Sequence, residues 1–179
     1  LRLAAMATNV MNLTKVENQT ILTDLTTFNL SEQIRACVLL LEEKWSRKEL
    51  DLDLEFPEYT IRANEELLKQ VWINLLDNAI KYSHEEVKID IICESEKGFC
   101  KIKVCDNGLG IPLKDQSLIF NRFERSAAVG RSGRGGAAGF GLGLNYVQQV
   151  MLAHGGRVEV ESEEGCFSEF TLYFPIETV

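Results

Sequence analysis

Three groups of residues in this chain have the types and spacings that handle a polyphosphate. The first lies in residues 70–83, QVWINLLDNAIKYS. Wound as a helix at about 100° per residue, Asn74, Asn78 and Lys81 fall at i, i+4 and i+7 and share a stripe roughly 60° wide. Val71, Leu75, Leu76, Ala79 and Ile80 cover much of the remaining circumference, as on a helix packed against a sheet. A carboxamide oxygen can take one position around Mg²⁺ while phosphates bring the negative charge. An ammonium one turn later can neutralise a phosphate oxygen as a point charge. The second group is Asp106-Asn107-Gly108-Leu109-Gly110-Ile111-Pro112, after a strand-like run. Its apolar neighbours turn the Asp106 carboxylate toward a pocket, where it needs a donor. Gly108 and Gly110 let the backbone bend sharply and approach a ligand without a Cβ. The third is Gly139, Gly141 and Gly143, leading into a helix whose bare N–H groups form an anion site. Leu142 and Leu144 are expected to pack beneath it. Each group has a plainer reading: a solvated stripe, an Asp-Asn-Gly turn, a glycine-rich loop.

The elements that must position these residues follow from periodicity and caps. Asn29 and Glu32 make a capping-box-like start to a helix running to about Lys48, with Ile34, Val38, Leu41 and Trp45 on one side. Leu50 to Phe56 alternates as a half-buried strand, closed by Pro57, and Tyr59 to Arg62 reads as its short partner. Asn64 caps the organising helix. Val87–Cys93 and Phe99–Cys105 form a hairpin through a glycine-containing connection, and Arg157–Glu161 and Phe167–Phe174 form another. On the second strand Lys101 and Lys103 alternate with Ile102 and Val104, which leaves one sheet face wet. Residues 126–138 are small, glycine-rich and irregular, with Arg131 and Arg134 interspersed; so long a connection inside a domain is a functional lid. The expected fold is an α+β two-layer sandwich, with helices on one face of a mixed, mostly antiparallel sheet.

Bulk properties narrow the classes. A chain of 179 residues, 45% hydrophobic and 26% charged, holds one ordinary domain and a short appendage. Its net charge of -8 argues against a nucleic-acid partner. The five cysteines form no CxxC pair, so they read as reduced and cytosolic rather than as a zinc or disulfide framework. No apolar run nears the ~20 residues needed to span a bilayer, and no signal peptide is seen. There is no Walker A sequence, and the Gly139 segment lacks the preceding strand of a Rossmann turn. Leu3, Met6, Val10 and Leu13 repeat at three and four, the seam of a bundle helix that begins abruptly, as in a fragment of something longer.

The polar helix, the DxGxG turn and the Gly139-Phe140-Gly141-Leu142-Gly143-Leu144 segment, in this order, closely resemble the ATP-binding catalytic domain of sensor histidine kinases. That domain is one of the GHKL ATPases, with gyrase, Hsp90 and MutL. The resemblance runs from about Leu25 to Pro175 and implies a Bergerat-type fold with a flexible ATP lid. It implies ATP and Mg²⁺, with Asn78 on the metal, Asn74 supporting metal and phosphates, and Lys81 and Arg125 balancing phosphate charge. Asp106 would accept from the adenine amino group, Tyr82 and Ile111 would wall the base, and the backbone from Gly139 to Leu144 would cradle phosphates. Leu118 to Arg125 resembles the family's F-box, in which Phe120 and Phe123 fasten the base of the lid. Glu124 stands where the family commonly has an aromatic.

The resemblance also divides the chain into a remnant of the second dimerisation helix (1–19), a linker (20–28) and the catalytic domain (29–179). The family reaction moves the γ-phosphoryl of ATP to a histidine on the dimerisation domain of the same protein, then to the receiver domain of a response regulator. It implies a homodimeric full-length protein, a monomer being open for this fragment, located in the cytoplasm or on the cytoplasmic side of an inner-membrane sensor. Neither His84, which closes the organising helix, nor His154, before Gly155-Gly156, is the acidic-flanked histidine on a dimerisation helix that the family's acceptor would be, and both read as structural. Two alternatives stay open. A hydrolysing gyrase- or MutL-type ATPase would carry a water-activating Glu where Asn74 stands, and a nucleotide-free scaffold would keep the fold alone.

Overall fold

The structure is a computed structural model that describes residues 11, 14, 22–55, 57–96, 98–122 and 142–175. The chain enters with β1 (Thr26–Asn29), α1 (Leu30–Leu40) and a single turn α2 (Glu42–Trp45). Next come β2 (Glu49–Glu55), β3 (Thr60–Ala63) and the long α3 (Glu65–Tyr82). The hairpin β4 (Glu86–Glu96) and β5 (Phe99–Asp106) leads to a short α4 (Leu113–Gln116). After the glycine-rich stretch, α5 (Gly143–Ala153) precedes the hairpin β6 (Arg157–Glu163) and β7 (Phe167–Pro175). Among the described residues, five strands form one sheet in the order β2-β4-β5-β7-β6, and β1 and β3 form a separate pair. Only β2 beside β4 runs parallel; the other pairs of the large sheet are antiparallel. This is the mixed sandwich that the patterning implies.

One face of the sheet is apolar. Val87, Ile89, Ile91 and Cys93 of β4, Cys100, Ile102 and Val104 of β5, and Phe170, Leu172 and Phe174 of β7 are buried. They join Leu30, Ile34 and Cys37 of α1, Leu68, Val71, Trp72, Leu75 and Ala79 of α3, and Tyr146, Val147, Val150 and Met151 of α5 in a single core. The opposite face carries charge: Lys103 pairs with Glu169 at 2.8 Å, and the Arg157 guanidinium lies 3.7 Å from the Tyr173 ring centroid. No helix among the described residues is long and apolar enough to cross a membrane.

Three local expectations change. The first helix stops at Leu40, and Trp45 folds back to donate its indole N–H to the Val38 carbonyl at 2.9 Å. That carbonyl belongs to the last turn, where helices leave acceptors unfilled. The short strand at Thr60–Ala63 pairs not with β2 but antiparallel with β1, so Thr26–Asn29, reached at the end of the connector, is strand before Asn29 caps α1. Phe28 packs on the core from there. The strand at Glu49–Glu55 instead takes an edge position parallel to β4. The proposed bundle seam at Leu3, Met6, Val10 and Leu13 lies outside the described residues.

Candidate functional site

Helix α3 is built to hold a fixed register. The Asn64 side chain accepts from the Leu67 N–H at 3.0 Å, capping the first turn. Its buried side is then locked by Trp72, whose indole donates to Gln33 at 2.9 Å, and Gln33 in turn donates to the Glu65 carbonyl at 2.8 Å. With that face committed to the core, Asn74, Asn78 and Lys81 lie half-buried along the other. The Asn74 Nδ2 is itself buried and has no hydrogen-bond partner among the described residues. A buried amide donor left in this way is costly and is expected where a further acceptor completes the arrangement. Lys81 turns its ammonium to the Tyr82 hydroxyl at 3.0 Å.

Two backbone segments close on this helix. The α5 start brings Gly143 against Asn74; a Cβ at position 143 would sit 3.4 Å from the Asn74 Oδ1. Leu142 is buried and Leu144 packs on the core, beneath the start of α5. At the other end, the turn after β5 rests on the last residue of α3. The Leu109 N–H donates to the Tyr82 carbonyl at 3.0 Å. Gly108 is so close that a Cβ there would lie 2.7 Å from both the Tyr82 carbonyl oxygen and Asp106 Oδ1. Glycine is required for that approach. Gly110 adopts φ 62° with its bare Cα against the Glu163 carbonyl.

Asp106 ends β5 with its carboxylate accepting from the Gly108 N–H at 2.9 Å. Burial pushes its pKa up to about 6, against the opposing pull of that N–H. A carboxylate held at a cost in solvation is a candidate acceptor for a further donor. Ile111, five residues on, and Tyr82, whose carbonyl the turn rests on, are both half-buried, and Ile111 packs on the core. Phe120 also packs on the core, and its carbonyl accepts from Asn145 at 2.9 Å. Phe123, Arg125, Gly139 and Gly141, together with Arg131 and Arg134, lie outside the described residues.

Several supports were not visible in the sequence. Ser162 accepts the Ile111 N–H at 2.8 Å, and Gln116 donates to the Ile111 and Ser162 carbonyls, pinning the DxGxG turn to β6. Asn107 replaces a ladder residue, its side chain bonding Lys88 N–H and the Glu86 carbonyl. Asn145, in the first turn of α5, is buried. Nothing local marks these residues, since apart from the Gln116–Ile111 bond their partners are distant in sequence. His84 is exposed, as a surface residue should be. His154 is structural in the way expected: Nε2 accepts the Asn64 N–H at 3.2 Å and Nδ1 lies 2.7 Å from the Val150 carbonyl.

Residues 63–178 match the family described as histidine kinase-, DNA gyrase B- and HSP90-like ATPase. The adaptive-response sensory kinase SasA of Prochlorococcus marinus is 33% identical over 152 residues, covering 83% of this chain and 39% of that protein. The signal transduction histidine-protein kinase ArlS of Staphylococcus aureus is 28% identical over 97% of this chain and 38% of its own length. The chain thus spans about two fifths of these relatives. The catalytic domain of histidine kinase ThkA superposes with a TM-score of 0.72 at 29% identity, over 86% of this chain and 96% of that one. ThkA in complex with the response regulator TrrA matches at 0.74 and 26%, over 97% of this chain and 48% of that one. The family match over residues 63–178, with these relatives on this fold, places the chain in the histidine kinase-, DNA gyrase B- and HSP90-like ATPase family, as an ATP-binding domain of the sensor histidine kinase kind.

Proposed function

We propose that ATP lies between α3, the β5–α4 turn and the start of α5, and that its γ-phosphoryl passes to a histidine on a dimerisation domain of the same protein. From there it would pass to a response-regulator receiver domain, as the ThkA–TrrA complex suggests for a related kinase. The observation that carries this reading is the unpartnered Asn74 Nδ2, buried at the point where Gly143 meets the polar stripe. An acceptor such as a phosphate oxygen or a metal-bound water would satisfy it. The oxygen donors of the stripe also fit Mg²⁺, which keeps several waters and takes few protein ligands. Asn78 would hold the ion and Asn74 would support it; when bound, the ion neutralises charge on the transferring phosphoryl group.

The chain's own residues do the positioning. Asp106 accepts from the adenine amino group, and Tyr82 and Ile111 wall the base. Lys81 must leave the Tyr82 hydroxyl to reach a phosphate, a rearrangement that gives up one charge-assisted hydrogen bond for another. Arg125 would balance charge at the terminal phosphate, and the Gly139–Leu144 backbone would cradle the others. Asn74 cannot deprotonate water, so hydrolysis should be slow against transfer. In this reading residues 1–19 belong to the dimerisation domain, 20–28 connect, and 29–179 form the catalytic domain. The parent protein works as a homodimer with this domain on the cytoplasmic side.

The test is thermal unfolding of the chain with and without magnesium ATP. Binding at a hundredfold excess over Kd should add about 2.7 kcal/mol of stability, and Asn78→Ala or Asp106→Ala should abolish the shift. A wild-type chain that does not respond would favour the scaffold alternative, and rapid phosphate release would favour a hydrolysing ATPase.

A further inference from the structure

We infer that Lys48 is a positioning residue for the base: it caps the carboxyl end of the helix bearing Asn74, Asn78 and Lys81, and so sets the carbonyl on which the Asp106 turn is seated. The inference rests on Asp106 being the base-reading carboxylate.

Lys48 stands one residue before β2, yet its ammonium reaches the last turn of α3. It donates to the Ile80 carbonyl at 2.7 Å, to the Ser83 hydroxyl at 3.0 Å and to the Ser83 carbonyl at 3.3 Å. Ser83 closes the same knot by donating its hydroxyl to the Ile80 carbonyl at 2.7 Å. The end of a helix leaves carbonyls without intrahelical donors and carries partial negative charge, so an ammonium there is favoured twice. The basic residue within the last turn, Lys81, cannot serve, because its ammonium faces the Tyr82 hydroxyl at 3.0 Å. Burial lowers the Lys48 pKa from its ordinary value, the expense of holding a cation at this depth, and three oxygen acceptors offset it.

What the cap holds is the foot of the site. Tyr82 lies between Ile80 and Ser83, and its carbonyl takes the Leu109 N–H at 3.0 Å. Gly108 is pressed against that same carbonyl, and its N–H orients the Asp106 carboxylate at 2.9 Å. The sheet gathers the same parts at one end. Glu49, next to Lys48, pairs with Glu86, and Asp106 pairs with Ile89 three residues further along β4. A small rotation of the α3 terminus therefore moves the Tyr82 carbonyl, the Gly108 turn and the carboxylate together. Base recognition is sensitive to such displacement, because a misplaced acceptor leaves a buried polar group unpaired.

The test is calorimetric titration of the chain with magnesium ATP and, separately, magnesium GTP. It uses wild type, Lys48→Met, Lys48→Arg, Ser83→Ala and Lys44→Met, below the melting point of each. Lys48→Met should weaken ATP binding about tenfold, the loss of a charge-assisted hydrogen bond, and narrow the preference for ATP over GTP. Lys48→Arg should recover most of both, and Ser83→Ala should move both in the same direction by less. Lys44→Met removes an exposed ion pair with Asp77 and should leave both unchanged. In amide spectra, Lys48→Met should shift the Gly108 and Leu109 signals. A folded Lys48→Met with the wild-type ATP affinity and preference overturns the inference. So does a loss that follows melting temperature alone with the preference intact. If Lys48→Met does not fold, a Ser83→Ala chain with the wild-type preference overturns it equally. A wild-type chain that binds ATP no better than GTP would instead fell the reading of Asp106, and this inference with it.

Discussion

At the scale of single residues, the site's chemistry turns on a carboxylate kept where water serves it poorly. Asp106 is raised from 3.8 to about 6 by burial, so the folded chain binds that proton more tightly than the unfolded one. As pH rises from 4 to 6 the unfolded chain ionises first, and stability falls; above 6 the loss is complete, up to about 3 kcal/mol. Asp106→Asn keeps an acceptor for the Gly108 N–H and removes the penalty. It should be more stable than wild type at pH 7 and equal to it below pH 4, as urea titrations at both values would reveal. A nucleotide donor favours the ionised carboxylate, so ATP binding near pH 6 should release a proton, seen as calorimetric heats that differ between buffers of unlike ionisation enthalpy. Equal heats would remove Asp106 from the contact. The residues of the stripe and the DxGxG turn were legible because their spacing is local. Lys48, Ser162 and Gln116 were not, since each acts on atoms brought near only by the fold.

At the scale of elements, the two site helices are joined at their far ends by His154. Its ring takes the Asn64 N–H at the start of α3 and bonds the Val150 carbonyl in α5. That acceptor role requires a neutral ring, and burial lowers its pKa. A histidine held neutral contributes stability above the unfolded value near 6.5 and loses it as pH falls below, opposite in sign to Asp106. His154→Phe strands the Asn64 N–H and should cost about 1–3 kcal/mol at pH 7, with a flatter acid limb in denaturant titrations. Gly110→Ala should cost more than His154→Phe, since a methyl there meets the Glu163 carbonyl on a backbone with φ 62°. Caps and hairpins were readable from sequence because Asn64 and the glycine turns act within a few residues. The β1–β3 pair and the parallel edge strand were not, because alternation reveals that a strand exists and says little about which strand it meets.

At the scale of the whole molecule, a chain of net charge -8 sets Asn74, Asn78 and Lys81 on one helix, with the backbone of Gly143 facing Asn74. The chain covers 38–39% of the SasA and ArlS kinases, and the proposed transfer to a histidine and onward to a regulator would need a dimerisation domain beside it. Incubated alone with labelled ATP, this chain should carry no stoichiometric acid-labile phosphate. His84, exposed and followed by Glu85 and Glu86, lies just past the end of α3 and not on a dimerisation helix, and His154 is bound on both nitrogens. Adding a dimerisation domain with its acceptor histidine should make the label appear there, and label on this chain would refute the division of labour. The most direct measurement is a crystal structure of the chain with magnesium and a non-hydrolysable ATP analogue. The account predicts the adenine amino group about 3 Å from the Asp106 carboxylate, with the metal on Asn78 and a phosphate oxygen or metal-bound water at Asn74 Nδ2. A base bound away from Asp106, or a metal held by other side chains, would contradict it.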